Sequence, residues 1–171
     1  MCWAVRTFVW RGFKNEIYCS HSSYHECWPC SIYKSYAQLM TLVVYDHWKQ
    51  VPRTFTEWPW KHFCPVELAC RGTGKLSVHR GLLDRLDILR SRFGSPLTVL
   101  SGFRSPYHNA FVGGAPFSFH VQAKAVDLST RGQDKLLMER LAKEIGFTGF
   151  GYYRTFLHID LGRPRFWGMK W

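Results

Sequence analysis

The chain has 171 residues, 46% apolar and 20% charged, which suits one domain with a real core and excludes a disordered or fibrous polypeptide. The formal net charge of +11 is uneven: residues 1–60 carry six Lys/Arg against four Asp/Glu, and residues 61–171 seventeen against eight. A basic chain is drawn to polyanions, but charge does not choose among nucleic acid, anionic lipid and anionic wall polymer, and no run of five basic residues occurs, so a solvated basic surface accounts for it.

Residues 1–50 are rich in Cys, Tyr, Ser and Trp and have no sustained period. The apolar opening Met1–Trp10 is interrupted by Arg6 and has no small-residue cleavage site after it, so no secretory signal is expected. The apolar run Leu39–Tyr45 is far too short to span a bilayer, so no membrane span is expected. Cys19, His21, His25, Cys27 and Cys30 raise a second metal site or a Cys27-Trp-Pro-Cys30 redox pair. The redox pair lacks a βαβ context and the zinc spacing is incomplete, so the favoured expectation is an irregular extension with no second site. Prolines at 52 and 59 punctuate the chain and divide it into an extension over 1–57 and a domain over 58–171.

In that domain a short helix opens at Pro65, a residue suited to a first helical turn, with Glu67 three residues after Cys64. Leu82, Leu83, Leu86, Ile88, Leu89 and Phe93 predict an amphipathic helix over about 78–93, ended by Gly94. A strand over 96–100 leads into a long loop over 101–119, and loops of that length in a compact domain are usually functional. A second strand follows at 123–128, a second helix at 133–145 stopped by Gly146, and two strands at 149–153 and 156–161. The expected fold class is α+β, a small, mostly antiparallel sheet with packed helices.

His120, Asp127 and His158 are the residues richest in chemistry. Two imidazoles and a carboxylate form a ligand set that zinc favours in catalysis, with one coordination position left open so that water can be activated. Ala123 and Ala125 are small, so the chain between His120 and Asp127 can turn tightly. His158 arrives on the last predicted strand. Asp160 shares its face, because residues two apart on a strand do. Asp160 is therefore a candidate either to fix the His158 tautomer or to act as a general base. In the loop before them, Arg104 is a candidate to hold a substrate carboxylate or a developing oxyanion, and Asn109 and Ser118 are candidate substrate contacts.

Five phrases, Ser101–Asn109, Val112–Ala115, Ser118–Asp127, Phe156–Asp160 and Gly162–Trp167, stand in the order found in the M15 peptidases, the group of zinc D-Ala-D-Ala carboxypeptidases and murein endopeptidases. His62–Lys75 also resembles the small bacterial and phage, endolysin-like branch of that family. The resemblance covers roughly residues 58–168. It implies one zinc, at the sheet face, held by His120, Asp127 and His158, with Arg104 on substrate or oxyanion and Ser118 lining the substrate site. It further implies hydrolysis of peptide bonds in peptidoglycan stem peptides or cross-links, and action at the cell envelope. The chain departs from the family pattern twice. Ala123 stands where Gly is usual, and Thr155 stands where some members carry an acidic base. These departures motivate a second expectation, a weak or inactive wall-binding module on the same fold. Nucleic-acid binding rests on charge alone, has no recognised motif behind it, and is not expected.

Overall fold

Period-two alternation governs the C-terminal half of the chain. Residues 42–52 and 58–171 are described in a computed structural model. The cysteine and histidine cluster over 19–30 and the opening segment Met1–Trp10 lie outside the described residues. Two sheets are formed. β1 (Leu42–Tyr45) pairs antiparallel with β2 (Leu76–His79). The larger sheet contains β3 (Val99–Ser101), β4 (Ala125–Ser129), β5 (Gly149–Tyr152), β6 (Phe156–Asp160) and β7 (Arg165–Gly168), in the order β3-β4-β6-β5-β7. Its pairs are antiparallel except β5 with β7, which run parallel.

Four helices complete the described fold: α1 (Pro65–Leu68), α2 (Arg80–Phe93), α3 (Pro106–Phe111) and α4 (Lys135–Ile145). α2 buries Leu82, Leu83, Leu86, Leu89 and Phe93 and ends on Gly94, whose φ of 77° is left-handed and free of a Cβ penalty. α4 buries Met138, Leu141 and Ala142, is capped by Asp134 accepting from Leu137 N at 2.9 Å, and ends on Gly146. The two long helices pack on each other and on one face of the larger sheet. Val126, Leu128, Phe150, Leu157 and Ile159 meet them there in one apolar core. Each such side chain contributes about 1.5–3 kcal/mol of burial.

Three expectations change. Leu76–His79 is a strand, not the opening of the helix, which starts at Arg80. The predicted loop over 101–119 contains α3, started by the Ser105 cap and by Pro106 at its first position. Ile88, counted on the apolar face of its helix, is 49% exposed. In addition, β1 brings the end of the Leu39–Tyr45 run into pairing with β2, and Val51, Trp58 and Trp60 pack into or against the main core.

The opposite face of the larger sheet is polar. Two rows of directly facing residues cross it. One runs Ser101, Asp127, His158, Gly151, Trp167 through β3, β4, β6, β5 and β7. The next runs Ala125, Asp160, Gly149, Arg165 through β4, β6, β5 and β7.

Candidate metal centre

Asp127 and His158 face one another across β4 and β6, so their side chains rise side by side from the sheet. His120 arrives from the turn that precedes β4. The three are buried, at 2%, 5% and 8% exposure for His120, Asp127 and His158. His158 Nδ1 lies 2.8 Å from Asp127 Oδ1, His120 Nε2 lies 3.2 Å from the same oxygen, and the two ring nitrogens are 3.1 Å apart. A tetrahedral zinc with bonds of about 2.0–2.1 Å separates its ligand atoms by roughly 3.3 Å, so this triangle is only slightly tighter than the ion requires.

The outer nitrogen of each ring is already engaged. His120 Nδ1–H donates to the Gly102 carbonyl at 2.7 Å, which turns Nε2 into the triangle. His158 Nε2–H donates to Asp160 Oδ2 at 3.0 Å, which turns Nδ1 toward Asp127. This pairing is how metal-ligating histidines are oriented. Gly102 can take its position because it has no Cβ, which would lie 2.5 Å from the Leu68 carbonyl oxygen. The buried His-Asp-His group is compatible with a metal site.

Electrostatics favour the charged pair when only protein is present. Burial disfavours ionisation of Asp127, but hydrogen bonds from His120 and His158 outweigh it and hold the carboxyl well below the usual range. Burial likewise opposes protonation of His158, yet Asp127 and Asp160 raise it above its ordinary value. Asp160 is depressed against its own burial by His158, Arg165 and the Gly162 amide.

The remaining candidates divide. Arg104 reaches the group: Nη2 donates to Asp127 Oδ2 at 2.7 Å and Nε to Ser101 Oγ at 2.8 Å. Its Nη1 has no hydrogen-bond partner among the described residues. Ser118 stands at the entry to the turn, where its Oγ accepts from His120 N at 3.3 Å. Asn109 is turned inward, 3% exposed, and donates from Nδ2 to the Ala115 carbonyl at 2.9 Å, a contact that holds its own loop instead of facing substrate. Asp160 had two possible roles, and the general-base role does not fit the geometry. Its carboxylate is fully buried and accepts from His158 Nε2, from Gly162 N at 2.7 Å and from Arg165 Nη1 and Nη2 at 3.0 and 2.7 Å. Four donors around two oxygens leave no room for a reacting water. Ala123 adopts φ 54°, the left-handed region that favours the glycine it replaces.

Sequence reasoning missed Ser101 and the Gly102 carbonyl as partners of the group, and it assigned Arg165 and Trp167 no part. The available signal was the pair Gly149 and Gly151, two glycines on one face of a strand, a pattern that marks close approach of other groups.

A stretch of 89 residues is 37% identical to the zinc D-Ala-D-Ala carboxypeptidase of Streptomyces albus G, covering 48% of this chain and 35% of that protein. A stretch of 78 residues is 33% identical to the probable peptidoglycan L,D-endopeptidase MepK of Haemophilus influenzae, covering 42% of each. The chain thus matches well under half the length of these curated relatives. The family model for peptidase M15 matches residues 61–160, which hold all three members of the triangle and more than half of the chain, and the chain belongs to the M15 peptidase family.

Proposed function

We propose that this chain is a zinc-dependent peptidase that hydrolyses peptide bonds in peptidoglycan stem peptides or cross-links, as a D-Ala-D-Ala carboxypeptidase or an endopeptidase. The observation that carries the reading is the buried triangle of His120 Nε2, Asp127 Oδ1 and His158 Nδ1, with edges of 2.8–3.2 Å. In this reading those three residues hold one zinc, which supplies the Lewis acidity that activates water toward a peptide carbonyl.

The other side chains orient and neutralise. Arg104 keeps Asp127 Oδ2 occupied, so that Oδ1 alone faces the triangle, and its free Nη1 is available to a substrate carboxylate or an oxyanion. Ser118 shapes the turn that presents His120. Asp160 acts behind His158 as an orienting acceptor. The site of action is the cell envelope, and the peptidase unit extends over 58–171, with β1 and Val51 packed onto it. Both relatives carry peptidoglycan-directed or D-Ala-D-Ala names, which supports the substrate class.

The test is mass spectrometry of cross-linked sacculi and of a D-Ala-D-Ala peptide after incubation with zinc-loaded protein, with and without chelator. Released peptides that vanish with chelator and return with zinc are expected. Intact substrates with metal-replete protein overturn the reading. A second reading has an observation of its own. With Asp160 committed to Arg165 and with Thr155 in place of an acid, the described residues offer no further carboxylate hydrogen-bonded into the triangle, which favours a weak or inactive wall-binding module. Sedimentation with sacculi without released peptides distinguishes it.

A further inference from the structure

β7 is an exposed edge strand, and its two inward residues reach the group from outside it. Arg165 and Trp167 lie in the two rows that contain Asp160 and His158, but one strand further out. In each row the intervening β5 position is glycine. A Cβ on Gly149 would sit 2.3 Å from Asp160 Oδ2, and one on Gly151 would sit 2.5 Å from the Trp167 ring. The missing side chains are the gaps through which β7 touches β6. Arg165 spans Gly149 and grips both oxygens of Asp160, which is bidentate and planar. Trp167 spans Gly151 and brings its ring to 5.1 Å from the His158 ring. The Arg165 guanidinium is itself held between the Trp167 ring at 5.0 Å and the Phe119 ring at 4.9 Å, and Phe119 is the neighbour of His120.

We propose that Arg165, with Trp167 beside it, is a positioning residue for the metal site: through the gaps at Gly149 and Gly151 it fixes Asp160, and thereby the ring plane of His158, while bracing the turn that presents His120. This rests on the reading that His120, Asp127 and His158 hold zinc. Asp160 has no exposed surface, and Arg165 is the permanent cation that meets it. An Asp160 free to rotate would release His158 Nε2 and let Nδ1 swing away from Asp127. The long, planar arginine is required because the reach crosses a whole strand, and a lysine presents one point donor instead of a fork.

The experiment measures zinc affinity by competition with a chromophoric chelator for the full chain and for Arg165→Met and Arg165→Lys. The visible spectrum of the cobalt-loaded proteins and circular dichroism of the metal-free forms are recorded in parallel. We expect Arg165→Met to retain its metal-free fold, to lose roughly 10–100-fold in zinc affinity and to show an altered cobalt spectrum. Arg165→Lys should fall between it and the parent. Gly151→Ala, which displaces the Trp167 ring that packs on His158 and Arg165, should alter the cobalt spectrum as well. A folded Arg165→Met protein with parental affinity and spectrum overturns the inference. So does loss of the fold in both arginine variants, because Arg165 is then a stability residue first. If the parent chain itself takes no zinc, the metal reading fails and this inference fails with it, a result distinct from parent and variant binding alike.

Discussion

The two faces of the larger sheet are built from alternate residues of the same strands, yet they are held together by opposite means. On the helix-facing side Val126, Leu128, Leu157 and Ile159 are buried against α2 and α4, and their attraction has no direction. On the other side Asp127, His158 and Asp160 are also buried but are ionisable, and each is anchored by hydrogen bonds of 2.7–3.2 Å to named partners. Buried charge is costly unless paired, so the second face depends on each of its partners being in place. The core face tolerates change of shape at a graded cost, whereas the polar face fails when one partner is removed.

Replacement of a triangle residue should separate the faces most sharply. His120→Ala should abolish zinc binding and peptide hydrolysis, a loss larger than the ~10–100-fold typical of an outer hydrogen-bond partner, while the metal-free protein still unfolds cooperatively. Metal titration followed by an activity assay checks this. On the core face Leu128→Ala should do the converse. It should cost about 2–5 kcal/mol in denaturant unfolding and leave the zinc affinity of the folded protein unchanged.

Acidity acts on the polar face through His158, Asp127 and Asp160. A histidine ligates a metal only in its neutral form, and in the metal-free protein His158 is raised above 6.5 by Asp127 and Asp160 against its burial. Zinc affinity should therefore fall about tenfold per unit as pH drops below that raised value, because binding must displace one proton. The protonated His158 stabilises the metal-free fold below 6.5, and that contribution is lost as pH rises through the raised value. Asp127 and Asp160 work in the other sense. Both are lowered from 3.8, so their contribution is present above that value and disappears as pH falls toward their folded values. Urea midpoints of metal-free protein across pH 2–8 should show both slopes, and a Leu128→Ala protein should show the same slopes from a lower start.

The smallest effect concerns the turn that joins the faces. Ala123 at φ 54° carries the left-handed strain of a residue with a Cβ. Ala123→Gly should relieve roughly 1 kcal/mol and raise the melting temperature by about 2–4 °C, as scanning calorimetry would register. An unchanged or lowered melting temperature would show that the buried Ala123 methyl contributes more by packing than its backbone loses.

That His120, Asp127 and His158 come together was legible, because residue type and spacing single them out. The two long helices were legible because their apolar period and terminal glycines, Gly94 and Gly146, are local signals. What escaped depended on register. No sequence feature says that Trp167 lies in one row with His158, or Arg165 with Asp160, since that follows from a parallel pairing of β7 with β5. β7 also lacks a strand signature: it is four residues long and mostly exposed, and it follows Pro164. The role of Asp160 was ambiguous for the same reason. A carboxylate two residues from a ligand reads equally as base or as support until its other neighbours are known. β2 was hidden because four residues running directly into a helix are too few to display a period of their own.

If His120 from its turn and Asp127 and His158 from two facing strands hold a single metal ion, elemental analysis of the purified chain, dialysed against trace zinc, beside Asp127→Asn and His120→Ala, will show it. One zinc per parent chain, and none retained by either variant, is the predicted result. A metal-free parent, or variants that keep their zinc, would contradict it.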